Sequence, residues 1–288
     1  MRSQDIAAHY GLTAIPANQP GGTNYAISGA LSVAVAGDGN LNLNPNLPSA
    51  ATQIANYLGA HANLANPSGL YVLSAGANDI TYAVQNFLTT PERQTFLANQ
   101  AAAYAAAIQA LQVAGAQTIV VDGIGGSGFL ATFWQNVLLF DLSQLNVNFI
   151  FADIAGVVQD VKNNPTLYGF TAATVLPGTV GAGTASACVT QTGAGATTTG
   201  WGQWCANSTD PSSTHAYLRS ADAEETSLYS DNEHLSAAGQ RIVANYEIAL
   251  IDSHVTPLPT ALPLFATGLG ALGLLGWRRK RKAAASKS

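Results

Sequence analysis

The stretch Leu70-Tyr71-Val72-Leu73-Ser74-Ala75-Gly76-Ala77-Asn78-Asp79 decides how the chain folds. Its first half, residues 70–74, is apolar almost throughout, as a strand is when both of its faces are covered. Gly76 permits a tight turn or a close backbone approach. Asn-Asp then suits a turn in which Asp79 caps a helix over 80–88 while Asn78 points away from it. Three other runs read as strands: 23–28 (TNYAIS), 118–122 (TIVVD) and 147–152 (VNFIFA). Helical stretches fall at 48–62, 91–114, 131–142 and 154–162, the second opening on Thr90-Pro91-Glu92 with Pro at the first helical position. Strand and helix in alternation predict an α/β fold: a doubly wound, mainly parallel sheet with helices on both faces and right-handed crossovers. Such sheets bind ligands outside the carboxyl ends of their strands, and residues 76–79 belong at that edge.

Charge narrows the choice of partner. Of eleven Lys and Arg, six lie at 278–282 and 287, so residues 1–254 hold five basic and sixteen acidic side chains, a formal −11. A body this acidic has no surface to neutralise a phosphate backbone, which argues against nucleic acid. Charged residues make up only 9% of the chain, so solubility rests on Asn, Gln, Ser and Thr, and the segment 178–215 reads as a long low-complexity loop. Cys188 and Cys205 fall inside that loop. They either close a small disulfide, worth about 3 kcal/mol on the chain-entropy model, or are two unrelated thiols.

From Leu258 the chain runs LPTALPLFATGLGALGLLGW and then RRKRK. A helix crosses a bilayer with roughly 20 apolar residues, so 258–277 is expected to form a C-terminal transmembrane helix, regular from about Leu264. Trp277 would lie at the interface and the basic cluster on the cytoplasmic side. The division expected is then a body at 1–254 and a sorting and anchoring segment at 255–288. Pro257-Leu258-Pro259, the apolar span and the basic cluster resemble the PEP-CTERM sorting signal of Gram-negative bacteria, with Leu258 where the naming motif has Glu. The resemblance implies export, anchoring in the membrane or at the cell surface, and processing by an exosortase.

Two short segments carry chemistry. Asp231 and His234 stand three residues apart just before a helix expected at 235–251. A carboxylate one turn from an imidazole can hold one ring nitrogen and leave the other to take a proton; the same spacing also serves plain helix capping. The Asn78 amide at the strand end can donate to a developing oxyanion, or simply form a turn. Upstream, residues 21–30 run GGTNYAISGA, and Gly29 can offer a backbone N–H as a second donor. His9, His61, His215 and His254 share no spacing suited to a metal. Trp134, Trp201 and Trp204 read as core or loop packing.

In this order, Gly-Gly-Thr-Asn-Tyr-Ala, then Gly-x-Asn-Asp, then Asp-x-x-His opening the final helix resembles the lipase/esterase branch of the SGNH, or GDSL, hydrolases. The likeness extends over about residues 5–250. It implies a hydrolase of carboxylic, lipid or acetyl esters that uses no cofactor or metal, with Gly29 and Asn78 in the oxyanion hole and Asp231 and His234 in the triad. The family's Gly-Asp-Ser-Leu block, which carries the nucleophile, has no counterpart here. Gly37-Asp38-Gly39-Asn40 lacks a serine, Ser28 lies in the second block, and residues 2–11 already resemble the helix that follows the first. Residues 1–12 also lack the basic stub and apolar run of an export signal. Loss of the N-terminus explains both, and a chain without the nucleophile is expected to be inactive. Two other readings share the scaffold: a non-catalytic surface-anchored binding or envelope protein, and a carbohydrate acyltransferase.

Overall fold

In the computed structural model the described residues are 2–34, 47–126, 128–171, 173–175, 186–189, 209, 217–231 and 233–255. The chain divides into two units, Met1–Ile248 and Ala249–Ser288. The first is built on a small parallel sheet of β1 (Leu70–Leu73), β2 (Thr118–Asp122) and β3 (Ile150–Ala152), in the order β1-β2-β3. Leu70 pairs with Thr118, and Val120 with Ile150. Among the described residues the strand order never reverses.

Alternation along the strands divides the side chains between two faces. Tyr71, Leu73, Ile119 and Val121 join the main core. They meet α2 (Ala50–Ala60), α3 (Ala77–Asn86), α4 (Thr90–Val113) and α5 (Phe129–Gln144), through Ile54, Ala83, Ile108 and Leu138 among others. Leu70 and Val72 face the other way, toward Ile6 of α1 (Arg2–His9) and Ala244 and Ile248 of α8 (Ala237–Val255). Covering on both sides explains why β2 is so apolar. Ile119, Val120 and Val121 are each at most 1% exposed.

The longest helix shows its local causes clearly. Thr89 caps α4 with a complete capping box to Glu92, and Pro follows within the first turn. Ala101, Tyr104, Ala105 and Ile108 then recur at the spacing of one helical face and are all buried. Beyond β3, Asp153 caps α6 (Ile154–Asn163) by accepting from Gly156 N at 3.0 Å. A short antiparallel pair, β4 (Cys188–Val189) and β5 (Tyr217–Leu218), and the one-turn α7 (Ala223–Thr226) lead to α8.

Three expectations need correction. Residues 23–28 form no strand. The glycines before them let the chain fold back on itself, with Thr23 N and Asn24 N both donating to Ile15 O and a lone bridge between Pro16 and Asn24. A Cβ at Gly22 would come within 1.9 Å of Pro16 O, so glycine is needed for this reversal. Second, α3 begins at Ala77 with Gly76 as its N-cap, which places Asp79 inside the first turn. Third, the fold is not one completed by a transmembrane helix: no helix among the described residues is long and apolar enough to cross a membrane. The last of them, α8, has the length but carries Arg241, Glu247 and Asp252. The span expected at 258–277 lies outside the described residues.

Candidate active site

The carboxyl end of β1 delivers the chain to Gly76, whose φ of +109° is left-handed. An added Cβ there would meet the Trp134 ring at 2.7 Å, so glycine lets α3 start directly on the indole. Two residues later Asn78 Nδ2 donates to Ala30 O at 3.0 Å. Ala30 follows Gly29, itself at φ +82°, so the amide of Asn78 lies against the turn that holds Gly29. An asparagine amide has two N–H donors, and one of them is spent on Ala30.

Asp79 clamps the same two segments. Its carboxylate accepts from Ser32 N at 3.0 and 3.1 Å and from the Ser32 hydroxyl at 2.9 Å. Both residues are fully buried. Burial pushes the Asp79 carboxyl up to about 6, against the hydrogen bonds from Ser32 that favour its charged form.

The second pair sits on a tight loop. Ser230 N donates to His234 O at 2.8 Å and Ser236 N to Leu228 O at 3.0 Å, around a bridge between Tyr229 and Leu235. At the tip, Asp231 Oδ2 lies 2.8 Å from His234 Nδ1, while Asp231 Oδ1 accepts from the backbone N–H of Glu233 and His234 at 2.8 and 2.6 Å. Asp231 is 2% exposed, yet its pKa falls below the usual carboxylate range. Burial acts to raise it, and the His234 ring with the two backbone donors outweighs that. An imidazole held by a carboxylate at Nδ1 presents Nε2 as a proton acceptor. The His234 side chain is 32% exposed, so a substrate can reach it.

The loop is braced from outside. Ala187 N and Cys188 N donate to Tyr229 O and Ser230 O, both at 2.8 Å, and the Ser186 hydroxyl donates to Asp231 O at 2.9 Å. Cys188 is disulfide-bonded. Cys205 is the other cysteine of the chain and lies outside the described residues.

The geometry therefore joins the four expected site residues as two pairs, Gly29 with Asn78 through Ala30, and Asp231 with His234 directly. Sequence reading missed Ser32 and the Ser186–Cys188 brace. Each contact joins residues more than forty apart, which leaves no periodic signal. It also missed a buried charge group at the carboxyl end of β2. There Arg2 pairs with Asp122 and, at 3.6 Å, with Glu247, whose side chain is fully buried. Burial and the neighbouring Asp122 charge push Glu247 up to about 9 despite the attraction of Arg2. A separate open cleft of about 530 Å³ between α6 and α8 includes Asp153 and Asp160 in its lining. Those carboxylates are already committed, to Gly156 N and to the Asn164 amide and Tyr168 hydroxyl.

No protein-family model matches the chain. Among curated proteins, it is 32% identical over 133 residues to Lipase 1 of Photorhabdus luminescens, a match that covers 46% of this chain and 19% of that lipase. The chain thus spans about a fifth of the length of the curated relative it matches. This relation connects the chain, at a distance, to the lipases and esterases.

Proposed function

We propose that the protein is an ester hydrolase of the SGNH, or GDSL, type, acting on carboxylic, lipid or acetyl esters. The observation that carries the reading is the Asp231–His234 contact at 2.8 Å, on a loop held by its own backbone. His234 would take the proton of a serine nucleophile at Nε2, while Asp231 holds the ring and stabilises the imidazolium that forms. The second N–H of Asn78, with the backbone N–H of Gly29, would receive the charge that builds on the ester oxygen. The relation to a lipase supports the ester class.

The residues described supply base, orienter and oxyanion donors, and none of them is assigned as the nucleophile. Export belongs to the same proposal. What supports it is the disulfide at Cys188, since disulfides persist in oxidising compartments, together with the sorting-signal resemblance of residues 255–282. Fluorophosphonate labelling tests the reading. The protein is translated with any reading frame that continues upstream of Met1, labelled, and mapped by peptide mass spectrometry. A labelled serine in a Gly-Asp-Ser context is expected, and a protein that takes no label contradicts the reading.

A further inference from the structure

Glu224 lies outside the pair that performs the proton transfer, yet its carboxylate reaches both stems of the loop that carries it. Oε1 and Oε2 accept from the Ser230 hydroxyl at 3.0 and 3.2 Å, immediately before Asp231. Oε2 also accepts from Ala237 N at 2.7 Å, at the first residue of α8 and three positions after His234. One carboxylate thus ties the residue entering the loop to the residue leaving it. From this geometry we infer that Glu224 is a positioning residue, whose task is to hold the Asp231–His234 pair in register.

The physical argument has two parts. The first N–H groups of a helix have no partner within it, and a carboxylate there is favoured by both hydrogen bonding and the helix dipole. Glu224 fills that role for α8 from another element, so it fixes where α8 begins relative to α7. The same group then restrains Ser230, so the six residues between are held at both ends. Asp231 spends one oxygen on the backbone of Glu233 and His234 and the other on the ring, an arrangement that survives only while the loop keeps its width. Ser236 adds a parallel restraint, its hydroxyl donating to Ser227 O and accepting from Gly239 N at 3.1 Å. The next acid, Glu225, pairs instead with Arg241 on the exposed side of α8 and supplies a control of the same charge in the same helix.

The inference rests on the active-site reading above, and the test separates the two. The readout is the downfield proton resonance of the His234 Nδ1–H in the hydrogen bond to Asp231, recorded on the full chain and assigned by its loss in His234→Ala. Glu224→Ala is expected to abolish this resonance. Glu224→Gln, which can still accept from Ala237 N and bond Ser230, and Glu225→Ala are expected to keep it. A sharp resonance surviving in Glu224→Ala overturns the role of Glu224 and leaves the pair intact. If no wild-type resonance disappears in His234→Ala, the pair itself is not formed in solution, and both this inference and the active-site reading fall. Should Glu224→Ala fail to fold, Ser230→Ala decides, because it removes one strut and leaves the start of α8 bonded. Broadening of the resonance then supports the inference, and an unchanged line overturns it.

Discussion

Asp79 and Ser32 are bound to each other by three hydrogen bonds in a site closed to solvent, although 47 residues separate them. This contact fixes the Gly29 turn against the first turn of α3, and so sets the place of Asn78. Ser32→Ala removes the hydroxyl donor and leaves a buried carboxylate short of one partner. We expect a loss of about 1–3 kcal/mol in urea unfolding at pH 7. An unchanged midpoint would show that the clamp carries no stability.

Asp79 also gives that stability a pH dependence. Its folded pKa of about 6 lies above the ordinary 3.8, so the folded state binds the proton more tightly. The contribution is fully present below pH 3.8 and is lost as pH rises to about 6. Glu247 acts with the same sign over a wider window, from its ordinary 4.5 up to about 9. Stability should therefore fall across neutral pH, with a slope from Glu247 approaching about 1.4 kcal/mol per unit. Glu247→Gln should flatten the slope between pH 6 and 9 in thermal unfolding. A slope equal to wild type would show that Glu247 ionises as freely folded as unfolded.

Gly76→Ala tests how the oxyanion side is built. The added methyl would meet the buried Trp134 ring at 2.7 Å on a backbone of left-handed φ. Both effects destabilise, together by about 2–4 kcal/mol, as measured by chemical denaturation. A variant as stable as wild type would mean that α3 does not start against the indole.

Much of this arrangement was legible in the sequence wherever its cause is local. The β-branched run at Thr118–Asp122 reads as a covered strand, and Thr90-Pro91-Glu92 marks the start of α4 to within a residue of its N-cap, which is Thr89 and not Thr90. The three-residue spacing places Asp231 and His234 within reach because one turn of backbone joins them. Contacts that close over long separations left no trace. Ser32 looks like any loop serine until Asp79 reaches it, and Glu224 looks like any surface acid. The run TNYAIS has strand-forming residues, and misleads because the glycines ahead of it let the chain turn back. At the C-terminus, the last helix described, α8, carries Arg241, Glu247 and Asp252, and the span that hydropathy ranks at 258–277 lies outside the described residues.

Asn78→Ala removes the side-chain donor of the proposed oxyanion hole. Loss of one such donor costs roughly 10²–10³ in kcat, with KM nearly unchanged, since the interaction strengthens only as charge builds in the transition state. Ester hydrolysis at saturating and limiting substrate separates the two parameters. A rise in KM alone would assign Asn78 to substrate binding instead.

The proposed proton transfer is tested by the hydrolysis of p-nitrophenyl butyrate, with the protein translated from any reading frame that continues upstream of Met1 and with its His234→Ala variant. Turnover that falls about 10⁴-fold or more in His234→Ala, with the fold retained, is the expected result. Turnover that persists in His234→Ala, or none from a folded protein that has no Gly-Asp-Ser block upstream, would contradict the assignment of this chain as an ester hydrolase working through Asp231 and His234.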